Sequence, residues 1–519
     1  MNGGAQQQST LRGLRRARRR HYLREGDWVD SLYRAYIVAI VAALALFYGT
    51  IALGGNADAA ATRDVREHAV ALLGLAVAVL VAMGLRSGAR GGPLAPESAD
   101  VTFLLLAPVP RGAVLRSLAV RQLRGVVLVP AVIGAVAGNV ATGRLGGERV
   151  EWLVAGAAFG ALASLAVWSA ALVASGARMG TREANLVGGV VVVWAVVDVI
   201  TQHATSPTAQ LARVAVWPLT TSPLALVGVA LPLLLVAIGL ARVGRTSLES
   251  LRHRAQLVGE LRFAATLQDM RSVIVLHREL AQELPRSKPW WRSTGSRGGP
   301  AWQRDWRGLA RWPLGRVVRT VVLAVVVALA AVGLWHGVDA LVLLAGVALF
   351  LVGVDAVEGL AQETDHPERP AQYPVVWGDL VLSHLLAPAL VLLGVMVAVA
   401  VATGAVTADA DALAVAAITL VPAALAAVVG AAVSVVIGAP PPSLYLDFGF
   451  PELTTLWLVL RQVLGPLVVI AAFVPLAVGQ NASVTGQSAA GAAVATALLP
   501  IVLVVGGSLW MRSREAVTR

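Results

Sequence analysis

Side chains able to do chemistry are sparse in this chain, and their spacing points away from bond-making. Cysteine is absent, which excludes disulfides, thiolate metal sites and cysteine nucleophiles. The histidines are scattered, and none forms a two-ligand spacing on one helix. The phosphate-binding pattern G-x-x-x-x-G-K-[ST] needs a lysine. The single lysine, Lys288, lies in Pro-Arg-Ser-Lys-Pro-Trp-Trp (285–291) with no glycine loop. No catalytic residue, cofactor or metal is therefore expected here, and the chain is not expected to be an enzyme. Any ATP and magnesium chemistry would belong to a separate subunit.

What remains is charge set among apolar residues. Asp198, four residues after Trp194, is the clearest ionisable group inside an apolar stretch, and such a group is a functional hypothesis by default. The pair marks a candidate translocation path. Asp198 has two other readings, pairing with Arg213 or resting at the outer headgroup level. His384 and Arg461 lie near the inner ends of apolar stretches and can snorkel.

The elements that position these groups are membrane helices. The chain has 519 residues, 57% hydrophobic and 14% charged, against about 25% charged in a soluble domain. Twelve stretches have the length that crosses about 30 Å of hydrocarbon. They lie at about 34–53, 68–85, 126–141, 150–174, 186–202 and 220–241, then 317–336, 338–357, 380–403, 411–437, 455–478 and 489–511. With both termini inside, five of the 42 basic residues fall outside: Arg63, Arg66, Arg144, Arg149 and Arg213. That is a strong positive-inside signal, so the net charge of +12 reads as topology and lipid contact, not nucleic-acid binding. The basic run 11–20 precedes span 1, which is kept as mature structure and not as a cleaved leader. The expected fold is all-α, a polytopic membrane protein.

The two halves repeat. Asp27-Trp28 precedes span 1 as Asp305-Trp306 precedes span 7, at an offset of 278. After the second span of each half, Glu97, Pro108-Val109, Gly112 and Ser117 align with Glu363, Pro374-Val375, Gly378 and Ser383 at an offset of 266. Six is even, so the repeats are expected to be parallel. The organisation expected is a basic interfacial segment 1–33, a six-span half 34–241, a cytosolic linker 242–316 with a helix and an elbow, a second half 317–511 and a tail 512–519. Both Asp-Trp segments read as interfacial helices. Within the linker, 247–284 should be helical and Trp290-Trp291 should touch membrane. Gly134-x-x-x-Gly138 and Gly156-x-x-x-Gly160 in spans 3 and 4 allow close helix contact.

The inner loop after the second span of each half holds a helical stretch, a stopping Pro and a restart. A plain turn is the simpler reading; the other is a short transverse helix against a partner protein. With the elbow, the first hairpin and Ala-Pro-Val-Pro-Arg (107–111) before span 3, this layout resembles the type-2 ATP-binding-cassette exporter permeases, in a fused six-plus-six form of actinobacterial type. The resemblance implies ATPase-coupling segments at Glu97, Pro108 and Arg111 in the first half. In the second half it implies Glu363, Asp365, Glu368, Pro374 and Trp377. It implies separate ATPase subunits as partners, the bacterial plasma membrane as location, and a re-entrant element near Val216–Pro223. Residues 86–117 carry net +2 and 358–379 net −4, so two non-equivalent partner contacts are expected. The sparse charge in the spans suits an amphipathic or lipid-like cargo. Rival readings are a secondary transporter of the major facilitator kind and a non-catalytic membrane scaffold.

Overall fold

The computed structural model describes residues 59–96, 101–105, 110–266, 285–291, 299–339, 341–365, 375–437, 460 and 463–513. No strand occurs among them. Among the described residues ten helices are long and apolar enough to cross a bilayer, eleven if one bent pair counts as a span, as suits a multi-pass membrane protein. The chain divides into two compact units, Met1–Glu260 and Leu261–Arg519.

The first unit contains α1 (Ala59–Ala89), a π-helical turn (Val101–Leu105), α2 (Arg111–Leu145), α3 (Arg149–Gly176), α4 (Thr181–Thr201), the six-residue α5 (Pro207–Ala212), α6 (Ala225–Arg242) and the start of α7 (Leu248–Thr266). α3 is the hub, packed against α1, α2 and α6, while α1 also packs on α4 and α5. The second unit contains α8 (Pro300–Leu309), α9 (Leu314–Trp335), α10 (Leu341–Ala356), α11 (Glu358–Asp365), α12 (Trp377–Ser383), α13 (Leu386–Thr407), α14 (Ala410–Ile437), α15 (Val474–Val484) and α16 (Ala489–Arg512). Here α14 is the hub, against α10, α13 and α16. An apolar stretch from Val463 leads into α15, breaking at residues 472–473.

Several helices outrun the stretches read from hydropathy. α2 begins at Arg111, so the loop expected to reach residue 125 is largely helix carrying Arg116, Arg121 and Arg124. α1 begins at Ala59, inside the expected outer loop 54–67. The cause is shared: Ala, Arg and Glu are good helix formers, and a hydropathy window sees only the part of a helix that lies in hydrocarbon. Expected span 1 (34–53) lies outside the described residues. The linker helix is described as α7, and 267–284 lie outside.

Close packing comes from glycine. A Cβ on Gly134 would overlap the Gly156 carbonyl, one on Gly138 the Trp152 carbonyl, and one on Gly160 the Pro130 carbonyl. The two GxxxG faces thus meet each other, backbone against backbone. In lipid, helices gain nothing from hiding apolar surface, so such contact is what holds them. The aligned glycines also share a place. Gly112, at the start of α2, faces Gly244 just past α6, and Gly378, at the start of α12, faces Arg512 at the end of α16. Aligned Ser117 and Ser383 make the same bond, donating to Val114 (2.7 Å) and Leu380 (2.6 Å).

Gly156→Leu should therefore abolish the monodisperse peak of detergent-solubilised protein in size-exclusion chromatography. Gly125→Ala, with nothing within 4 Å of the new Cβ, should leave the peak intact and shift stability by no more than about 1 kcal/mol.

Candidate coupling site

In the second unit the elbow and the segment after the second span form one assembly. α8 is amphipathic, entered at Gly299-Pro300, a suitable helix start because proline presets φ at its first position. Its apolar side packs with Leu309, Trp312 and Ala387. α10 passes into α11 through a bend of 60°, and α8 packs on α11, α12 and α13.

Charge pairs fasten this assembly. Arg304 of α8 forms an ion pair with Glu363 of α11, whose side chain is 2% exposed, and also reaches Gln362 at 3.4 Å. Glu363 Oε2 is buried with no partner among the described residues. Asp305 accepts from His384 Nδ1 at 2.9 Å, both side chains buried. Gly359 makes room for that carboxylate, since a Cβ there would overlap Asp305 Oδ1. Burial pushes the Asp305 carboxyl up from its ordinary value, while the His384 hydrogen bond and Arg304 pull it back in part. Arg319 of α9 holds Asp355 of α10 with two bonds, 2.8 and 2.7 Å. Arg316 faces Glu358 at 3.7 Å, and Arg512 meets Asp379 at 3.1 Å.

These pairs change the reading of the acidic segment. Glu363 points inward and is neutralised by Arg304, so it cannot present charge to a partner. Glu358 and Asp379 also have arginines of their own. Asp365 is exposed at the end of α11, and Trp377 is half-buried at the start of α12. Glu368 and Pro374 lie outside the described residues. His384 does not snorkel; it is 2% exposed and bound to Asp305. Trp306 stacks edge-on with Trp302 and Trp291, at 5.6 and 6.3 Å between ring centres. Trp290 donates to the Trp312 carbonyl at 2.8 Å, so the tryptophan pair is stitched to the elbow.

In the first unit Arg111 opens α2 and is exposed. Asp27, Trp28, Glu97 and Pro108 lie outside the described residues. Arg116 donates to the Leu240 carbonyl at 2.9 Å, linking α2 to the end of α6. Asp198 is buried and does not pair with Arg213. It accepts from Thr205 N (3.0 Å), Thr205 Oγ1 (2.7 Å) and Ser206 N (2.8 Å), and Trp194 Nε1 donates to Thr205 Oγ1. Arg213 bonds Gln210 instead. This arrangement clamps the turn before α5, whose Ala209 and Ala212 are fully buried. Gly74 and Gly228 admit α5 between α1 and α6. A short buried helix thus stands before the last span, at 207–212 instead of near 216–223. Asp198 and Trp194 act in this clamp.

An apolar groove of about 920 Å³ runs between α1 and α2 over α3, lined by residues such as Leu80, Met83, Ile133 and Phe159, with Arg254 at one end. The corresponding face of the second unit carries α9, packed on α10 and α13. No cluster of metal-binding side chains occurs among the described residues. Sequence reasoning missed the Arg319–Asp355 and Arg304–Glu363 pairs. An acid and a base close to the ends of neighbouring apolar stretches would have signalled the first. No family model, curated protein or solved structure matches the chain.

Arg304→Ala should cost about 3 kcal/mol, because it leaves a buried carboxylate unpaired, and Arg304→Met with Glu363→Leu should recover most of that in thermal unfolding in detergent. Asp305→Asn keeps an acceptor for His384 but cannot ionise. Because the native carboxyl is raised, folding favours its protonated form, a contribution fully present below pH 3.8 and lost as pH rises through the folded value. The stability of Asp305→Asn relative to the native chain should therefore increase from pH 4 to pH 7.

Proposed function

We propose that the chain is the transmembrane permease of an ATP-binding-cassette exporter, a fused pair of parallel six-span repeats in the bacterial plasma membrane, with both termini in the cytosol. Separate ATPase subunits supply the energy, and cargo moves by alternating access. The observation that carries this reading is the transverse helix α11, bent 60° from the second span of its unit and fastened to the elbow by Arg304 and Glu363. A load applied to α11 reaches α8 and α10 without crossing a loose joint. The duplication is supported by the matching helix partners of α3 and α14 and by the shared contacts of Gly112 and Gly378.

The internal pairing narrows the partner surface. In the second half it takes Asp365 and Trp377 on their exposure, with Glu368 and Pro374 from the sequence. In the first half it consists of Arg111 with Glu97 and Pro108. The contacts are non-equivalent because residues 86–117 carry net +2 and 358–379 net −4, a contrast that pairing of Glu358, Glu363 and Asp379 inside the unit reduces. The cargo is amphipathic or lipid-like. We place no cargo in the groove of the first unit, since a helix fills the matching face of the second.

Affinity purification of the tagged full chain in mild detergent should retain a stoichiometric P-loop ATPase. Asp365→Arg with Glu368→Arg should lower that retention about tenfold without altering the size-exclusion profile. Transport by vesicles holding the chain alone, driven by an ion gradient, would show a secondary transporter instead.

A further inference from the structure

We infer that the first unit carries a phosphate-binding pocket where the ends of α1 and α3 meet the starts of α2 and α7. A polar cavity of about 390 Å³ lies there, lined among others by Arg111, Arg178, Ser175, Thr246, Ser247 and Ser250. Its size is at the small end of ligand sites. Among the described residues no carboxylate lines it. Glu249, in the first turn of α7, is exposed outside the lining.

The two cations differ in how they are held. Arg178 has φ +56°, a left-handed conformation that suits glycine and strains a larger residue. Its N–H bonds Ser175 O at 3.1 Å, and its Nε donates to the Arg245 carbonyl at 2.9 Å. The terminal guanidinium nitrogens remain for a ligand, fixed against the turn that enters α7. Arg111 makes no ion pair among the described residues.

The donors available besides these are hydroxyl and backbone. Ser175 and Thr246 already donate to Leu172 and Val243 carbonyls. Ser247 and Ser250 have no side-chain bond among the described residues and can donate. The first N–H groups of the 19-residue α7 add a positive helix end. Two guanidiniums, two hydroxyls and a helix start, with no competing acid among the described residues, select a compact multivalent oxyanion. Because α1, α2 and α3 have the length of membrane spans, the headgroup phosphate of an anionic phospholipid is the nearest source. A soluble phosphate ester offers the same group. Bound there, the phosphate would tie α7 to the ends of three membrane helices. The pocket does not need an ATPase partner; it shares only Arg111 with the partner surface proposed above, and a phosphate bound there would withdraw that guanidinium from the surface.

The test uses the full chain in a non-ionic detergent and follows melting temperature and, by native mass spectrometry, retained ligand. The probes are phosphatidylglycerol, phosphatidylcholine and glycerol 3-phosphate. Arg111→Gln and Arg178→Gly are compared with Arg182→Gln/Arg252→Gln, which removes charge from exposed arginines outside the pocket. Arg178→Gly relieves the backbone and should fold at least as well as the native chain. Retention of phosphatidylglycerol over phosphatidylcholine, weakened about fivefold or more by each pocket variant and less by the control, supports a lipid headgroup. Binding of glycerol 3-phosphate with the same variant pattern supports a soluble ester. Equal losses in pocket and control variants, or no preference for any phosphate probe over phosphatidylcholine, would overturn the pocket.

Discussion

Helices immersed in lipid have no hydrophobic reason to leave it for one another, and the fold depends on how this chain supplies another reason. The solution is backbone proximity. At Gly134, Gly138, Gly156 and Gly160 two helices approach until carbonyls occupy the space a side chain would take. The same device admits α5 at Gly74 and Gly228, and joins α14 to its neighbours at Gly353 and Gly430. Dispersion over these contacts is small per atom and large in sum, and it tolerates almost no added volume.

Where the helices leave the apolar layer, charge takes over. Burial of Glu363, Asp305 and Asp355 is tolerable only because Arg304, His384 and Arg319 reach them, since an isolated buried charge costs several kcal/mol. Each pair joins two different elements, so the penalty for separating the charges keeps α8 in register with α11 and with the junction of α12 and α13, and α9 with α10. Charge that looks on paper like a recognition surface is mostly consumed in this internal matching.

Much of the helical architecture was legible in the sequence, because a span announces itself by length and hydropathy. Its ends were less so: α1 and α2 extend through Arg63, Arg66, Arg116 and Arg121, which are polar yet helix-favouring. The helix at Asp305-Trp306 and the GxxxG contacts were readable, since both are local patterns. The partners of Glu363, Asp198 and His384 were not. Arg304 is 59 residues from Glu363, and the His384–Asp305 bond spans 79. Nothing in local spacing specifies which acid meets which base across such distances. The bonding of Asp198 was hidden because its partners, Thr205 and Ser206, are ordinary turn residues.

The contacts of Gly112 with Gly244 and of Gly378 with Arg512 have a mechanical consequence. Each is a touch of backbone on backbone, so a small roll of one helix over the other there sacrifices no directional bond. Beside each lies a single arginine latch, Arg116 on the Leu240 carbonyl and Arg512 on Asp379. The joint between α2 and the end of α6, like that between α12 and α16, is thus a bearing with a catch, free to turn once one guanidinium lets go.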